Sequence, residues 1–406
     1  MTQKNKFVFK NINGYDILFV NNSTPTIHIE AVVKSGFIHE TKHTAGINHL
    51  LEHVIVSAWK KCNGSCITYW ENKGSNVNAS TDDTIMSYYI NGLSTEADEM
   101  IEYISYILTH SIFNKTSIEN EKQAVIDELI EVSRNPISKL NDLFYKTFFK
   151  DGLQYKEDIM LQIHNLKHLS IDDVKTAYHS FNKKTVFFVV YGKYDLKHVT
   201  NLFSKHLKQI KGSAFEKREC FSNVHKIIYT YFDAEGTNIL IGFPSSIMSS
   251  DYFDCFNILL HQLLFTEMRT KNQLLYDISI DTITNECGTH LIISMNVRDS
   301  NVKETLHILF NFLKKFCHVN IDNTLIDSCK KKVKYIYHTN YSKVDYYIKR
   351  ILQNSPILTK RQIISQINSF NSDHFKQMCN QLIVFEKALC VYQSKHNAHI
   401  SWDMFI

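Results

Sequence analysis

Apolar and polar positions along the chain fall into two runs of elements that follow the same order. The first run opens with strand-like alternation from Phe7 to Val20 and from Thr26 to Phe37, then turns to a helical period from about Gly46 to Ala58. Strand character returns at Asn76 to Ile90. Two helices follow, roughly Ser94 to Thr109 and Ser117 to Val132, then a third helical region and a strand at Thr185 to Tyr191. The second run has strands near Lys226 to Phe232 and Asn238 to Phe243, then a long helical pattern from Tyr252 to about Met268. A hairpin spans Tyr276 to Val297 with its turn at Asn285 to Gly288. Helices near Val302 to Phe316 and Ile321 to Tyr337 come next, and a strand at Ala388 to Tyr392 closes the run. Each closing strand follows a short helix with a similar start, Ser170-Ile171-Asp172-Asp173 and Asn371-Ser372-Asp373-His374. A period of about two hundred residues predicts one α+β domain present twice, each copy a mixed sheet backed by helices. The expected boundaries are 1–210 for the first domain, 211–224 for a polar linker and 225–406 for the second.

Composition narrows the class. A chain of 406 residues with 44% hydrophobic and 21% charged residues can bury two real cores. The net charge of +4 is small and dispersed, and Lys330-Lys331-Lys332 sits in a helical pattern with apolar neighbours, as a solvated helix face does. Nucleic acid is therefore not an expected partner. No apolar run approaches the roughly eighteen residues of a membrane span. Nine cysteines at irregular spacing give no disulfide framework, and no signal peptide opens the sequence. These features predict an intracellular, reducing compartment, the cytoplasm first and a virion as the other setting. Cys62 and Cys66 read as a loop carrying two free thiols, since no second pair lies at a metal-binding spacing.

The chemistry concentrates in His49-Leu50-Leu51-Glu52-His53. On a helical wheel Ile47, Leu50, Leu51, Val54, Ile55 and Ala58 form one stripe, with His49, Glu52 and His53 on the opposite side. Histidines four apart stack one turn above the other and can reach a single ion, while Glu52 lies close by without having to bind it. Metal-assisted hydrolysis needs that arrangement: two neutral nitrogen ligands, and a carboxylate to take the proton from water. Two surface histidines beside a surface glutamate would present the same five letters. In the helix from Ser117 to Val132 the apolar stripe is Ile118, Val125, Leu129 and Val132, and Glu121 and Glu128 fall beside it instead of on the polar face with Glu119, Asp127 and Glu131. Carboxylates on a buried edge require a positive partner, either a cation or an arginine. Two histidines, one glutamate and an open position make a catalytic zinc site, whereas a structural site has four protein ligands.

These residues resemble the inverzincins and, more widely, the M16 peptidases such as mitochondrial processing peptidase and insulin-degrading enzyme. The resemblance covers nearly the whole chain. Gly36 to Glu40 followed by Gly46-Ile47-Asn48 is similar to the family's approach to its zinc helix, and the segment Glu121 to Glu128 to its E-x-x-x-V-x-x-E pattern. By that match Glu128 is the third Zn²⁺ ligand and Glu121 a carboxylate that supports a liganding histidine. Asn78-Ala79-Ser80-Thr81 resembles the N-A-x-T edge strand, whose backbone pairs with extended substrate; Ser80 stands where the family often has an aromatic residue. The segment Arg269 to Tyr276 resembles R-x-x-x-x-x-x-Y, which implies that Arg269 and Tyr276 reach the bound substrate; Leu275 takes a place commonly held by glycine. The resemblance implies a zinc metalloendopeptidase acting on peptides or unfolded protein segments, with Glu52 as base, working as a homodimer or with a paralogous subunit. It leaves two other readings open: a non-catalytic core subunit of the same family, and a maturation protease with one dedicated site.

Overall fold

The computed structural model describes residues 7–405 apart from 63, 111–112, 114, 182–183, 209, 211, 213–224, 248–250, 286–287, 317–320 and 340–342. The expected linker, 211–224, lies outside the described residues but for Gly212, and so do the two central residues of the expected turn at Asn285 to Gly288. The chain forms two compact units, each an α+β layer of one mixed sheet and a set of helices. The first comprises Met1–Arg134, Asp151–Arg218 and Tyr347–Lys349; the second comprises Asn135–Lys150, Glu219–Tyr346 and Arg350–Ile406.

In the first unit β1 (Phe7–Ile12), β2 (Tyr15–Asn21) and β3 (Thr26–Val33) precede α1 (Ile47–Val56) and α2 (Cys66–Glu71). Then come β4 (Asn76–Thr81), β5 (Met86–Leu93), α3 (Ala97–Thr109) and α4 (Lys115–Ser133). After α5 (Ser138–Phe148) the unit resumes with α6 (Ile159–His168), α7 (Ile171–His179), β6 (Val186–Gly192) and α8 (Leu196–His206). The strand order is β1-β2-β6-β3-β5-β4, so β4 is an edge strand paired antiparallel with β5. The strand period of two sends Ile27, Ile29, Ala31 and Val33 of β3 into the same core as Leu50, Leu51, Val54 and Ile55 of α1.

The second unit holds β7 (Lys226–Tyr231), β8 (Thr237–Phe243), α9 (Phe253–Phe265), β9 (Leu275–Asn285) and β10 (Gly288–Val297). It continues with α10 (Val302–Phe316), α11 (Asn323–Thr339), α12 (Lys343–Leu352, of which Tyr347–Lys349 group with the first unit), α13 (Lys360–Ser369), α14 (Ser372–Leu382) and β11 (Leu389–Ser394). Its order is β7-β11-β8-β10-β9, which again leaves the strand after the first long helix at an edge. Helix α5 belongs here: Leu140, Phe144 and Phe148 are buried, and the last two rings occupy the space beside Gly242 of β8, where a Cβ would meet Phe148 at 2.5 Å and Phe144 at 2.7 Å.

Two sequence expectations need correction. Cys62 and Cys66 are joined in a disulfide between α1 and α2 and are not free thiols. On α4 the buried face runs through Ile118, Lys122, Val125, Ile126 and Leu129, and Val132 is exposed. Lys122 enters that face because its ammonium is met by the Glu119 carboxylate and the Leu169 carbonyl.

Candidate metal centre

The approach to α1 is fixed by close packing and by one buried carboxylate. A Cβ at Gly36 would lie 2.2 Å from the Asp82 carbonyl oxygen, so only glycine lets the β4–β5 turn sit against this backbone. The amides of Phe37 and Ile38 donate to the carbonyls of Asp82 and Asp83 across that contact. Gly46, at φ +93°, turns the chain into α1. Glu40, 1% exposed, accepts from the backbone N–H groups of Gly46 and Asn48 at 2.9 Å each, satisfying donors that a helix start leaves unpaired. Burial pushes its carboxyl up to about 8, against the pull of those two N–H groups.

From that start the helix delivers His49 and His53 one turn apart, with ring centroids separated by 5.1 Å. Both Nε2 atoms face one oxygen of Glu128: Oε2 lies 3.5 Å from His49 and 3.6 Å from His53. The three ligand atoms all lie within 4.8 Å of one another. Zinc bonds of about 2.0–2.1 Å at a tetrahedral angle set donor atoms about 3.4 Å apart, so this donor set fits the ion. On its other side His53 turns Nδ1 toward Glu121 Oε2 at 3.4 Å, and Glu121 Oε1 accepts from the Ser57 hydroxyl at 3.0 Å. A carboxylate behind a liganding imidazole fixes its tautomer and its plane.

Electrostatics separates the two rings. Burial holds His49 below the ordinary histidine range, which keeps the imidazole neutral as a ligand must be. The bond to Glu121 raises His53. Glu52 is half-buried beside them, and its charge favours the protonated form of both rings. Its Oε2 accepts from the Thr81 hydroxyl at 2.7 Å.

The remaining residues singled out by sequence divide between the units. Asn78, Ala79 and Ser80 lie on edge strand β4; Asn78 and Ser80 are exposed, and Asn78 Oδ1 accepts from the Ala79 N–H at 2.9 Å. Arg269 and Tyr276 are in the second unit and come together there. Arg269 lies on the wide turn Thr266–Lys271 that extends α9, with its guanidinium 5.2 Å from the Phe265 ring centroid, and donates to the Tyr276 carbonyl. The Tyr276 side chain is exposed at the start of β9, while Leu275 is buried in the core. Sequence reasoning gave no role to Glu40 or Thr81. Both stand inside segments it had marked, Gly36 to Glu40 and the N-A-x-T strand.

The fold and the site together define a two-domain α+β chain whose first domain carries a His-His-Glu cluster with an adjacent carboxylate. The insulinase model of peptidase family M16 matches residues 16–159, and the peptidase M16 inactive-domain model matches 168–333; the chain belongs to family M16. It is 22% identical to the uncharacterized zinc protease YmxG of Bacillus subtilis, over 95% of this chain and 97% of that one. It is 28% identical to the mitochondrial-processing peptidase subunit beta of Saccharomyces cerevisiae, over 38% of this chain and 33% of that one. Among solved structures, a protease from Helicobacter pylori superposes with a TM-score of 0.81 at 16% identity, covering 96% of this chain and 99% of that one. A peptidase M16 inactive domain from Pseudomonas fluorescens gives 0.84 at 13% identity, with 97% and 99% covered. At such identities the structural likeness concerns the fold.

Proposed function

We propose that the chain is a zinc-dependent endopeptidase that hydrolyses peptides or unfolded protein segments laid along β4 as an added strand. The observation that carries this reading is the convergence of both Nε2 atoms on Glu128, with Glu52 on the same helix face. His49, His53 and Glu128 would hold the ion. Once bound, zinc supplies Lewis acidity, polarising a carbonyl and lowering the pKa of water. Glu52 takes the proton from the attacking water and returns it to the leaving nitrogen. Glu121 keeps the plane of His53, and β4 offers its outer backbone edge to the substrate main chain. Arg269 and Tyr276 hold the substrate carbonyl oxygen as charge develops on it.

A non-catalytic role has one point in its favour: the chain is 23% identical over 204 residues to the cytochrome b-c1 complex subunit 1 of Bos taurus. The full His-Glu-His-Glu set weighs against it, because a purely structural subunit has no use for these costly groups. Several relatives are named as subunits, and we extend that to this chain as a homodimer or a pair with a paralogue. Light scattering that found a fully active monomer would overturn the pairing.

The test of the activity is Glu52→Gln. The variant should retain about one zinc per chain and lose peptide hydrolysis by at least about a thousandfold, with the parent's activity abolished by a chelator and restored by zinc. A variant that cleaves nearly as fast as the parent would remove Glu52 as the base.

A further inference from the structure

We propose that Thr81 is a positioning residue: it ties the orientation of Glu52 to the strand on which substrate lies. The inference rests on the peptidase reading above and adds a residue to it. Thr81 is the last residue of β4, paired with Met86. Along that strand Val77, Ala79 and Thr81 share the face turned to the helices; Val77 is buried in the core and Ala79 packs against it. Thr81 is thus where the apolar contact between β4 and α1 gives way to the site.

Its hydroxyl has a single proton and two oxygens within reach, Glu52 Oε2 at 2.7 Å and the Asn48 carbonyl at 3.4 Å. The shorter contact to a charged acceptor takes the proton, and such O–H···O⁻ bonds are about twice as strong as neutral ones. Threonine suits the task because β-branching leaves its χ1 stiff, whereas a glutamate alone wanders over three torsions. The strand end itself is pinned. Asp82 and Asp83 receive the Phe37 and Ile38 amides, and the Asp83 carboxylate meets the Lys156 ammonium at 2.6 Å.

With Oε2 held by Thr81, Oε1 is the oxygen that receives the proton. The strand that aligns the substrate main chain therefore also aims the base. A peptide seated in register on β4 keeps both in place, and one seated out of register disturbs both.

The experiment compares the zinc-loaded full chain with its Thr81→Val and Thr81→Ser variants. Zinc content, melting temperature, kcat and KM on a fluorogenic peptide are measured, together with the affinity of that peptide for the chelator-treated proteins by fluorescence anisotropy. Thr81→Val should lower kcat roughly tenfold to a hundredfold while KM, zinc content, melting temperature and peptide affinity stay at the parent's values. Thr81→Ser, which keeps the hydroxyl, should restore kcat to within about threefold. If valine does not fit, Thr81→Ala makes the same comparison by removing atoms only. An unchanged kcat in an active, folded variant overturns this proposal alone. So does a loss expressed in KM, in peptide affinity or in zinc content, or a serine variant that stays slow. A parent with no chelator-sensitive hydrolysis overturns the peptidase reading and this proposal with it.

Discussion

The helix pair α1 and α4 of the first unit has a counterpart in α9 and α11 of the second, displaced by 208 positions, as Asn257 is from His49 and Thr324 from Thr116. His49-Leu50-Leu51-Glu52-His53 stands against Asn257-Ile258-Leu259-Leu260-His261. On the second helix Ile118, Lys122 and Val125 recur as Ile326, Lys330 and Val333, while Glu121 and Glu128 become Cys329 and Ile336. The apolar frame is retained: Leu51 and Leu259, Ile118 and Ile326, Val125 and Val333 are buried in both units. What changes is the ionisable set. Leu260 is fully buried where Glu52 is half-buried, and Cys329 donates its thiol to the Cys255 carbonyl inside the core. A bond from helix to edge strand is present here too, but from a different position: Asn257, the counterpart of His49, donates to the Thr282 hydroxyl of β9 at 3.0 Å. The fold can therefore be built without His49 and the three glutamates, and packing does not require them in the first unit.

That contrast can be broken in several ways. The largest effect is expected at the metal. His49→Ala should cut zinc from about one per chain to under about a tenth and end hydrolysis, whereas His261→Ala should leave both unchanged. Metal analysis decides it, and a His261 variant that loses zinc would erase the distinction. Next is stability. Leu260→Glu buries an unpaired carboxylate and should cost about 3–5 kcal/mol, read as a large drop in melting temperature. Glu52→Leu makes the reverse exchange and should leave the melting temperature at or above the parent's; equal losses in the two variants would mean the helices are not equivalent.

A third test asks what the second unit contributes to the chemistry. Tyr276→Phe deletes one exposed hydroxyl and should lower kcat/KM about a hundredfold, roughly 3 kcal/mol, with zinc content and melting temperature unchanged. A loss below about threefold would confine Tyr276 to its own unit. The smallest effect concerns the two helix starts. Glu40 closes α1, whereas α9 begins at Tyr252 without a side-chain cap. The unfolded chain releases the Glu40 proton near pH 4.5 and the folded chain keeps it up to about pH 8. Between those values the unfolded state binds fewer protons, so stability falls gradually as pH rises. Glu40→Gln should flatten that fall across pH 5 to 8 in thermal melts, and a slope identical to the parent's would count against the assignment.

Much of this was legible in the sequence because periodicity reports burial. The stripe of α1, the spacing of His49 and His53 and the repeated order of elements are all local patterns, whereas Glu128, expected on a buried edge, is exposed. Other features depend on partners distant in sequence. Nothing local marks Glu40 as the acceptor for amides six and eight residues later, or Thr81 as a donor to Glu52 across twenty-nine positions. Lys122 reads as polar surface until the Leu169 carbonyl is found beside it. Cys62 and Cys66 carry no signal that separates two thiols from a bond. The pattern of α5 shows which face is buried but not which sheet receives it.

That last helix also bears on how the protein is made and handled. Between Arg134 and Asp151 the chain leaves the first unit, lays Leu140, Phe144 and Phe148 against the sheet of the second, and returns. A cut at the sequence midpoint would give a front fragment bearing a greasy helix with nothing to cover it. The back fragment would lack one wall of its interior, at the very spot where Gly242 makes room for two rings. On a ribosome, the second unit receives its first helix nearly eighty residues before its own first strand is synthesised. Its completion is thus a long-range closure, of the kind that slows folding and exposes intermediates to capture. Co-expression of the two halves, with the helix moved to the second, is the construction this topology recommends.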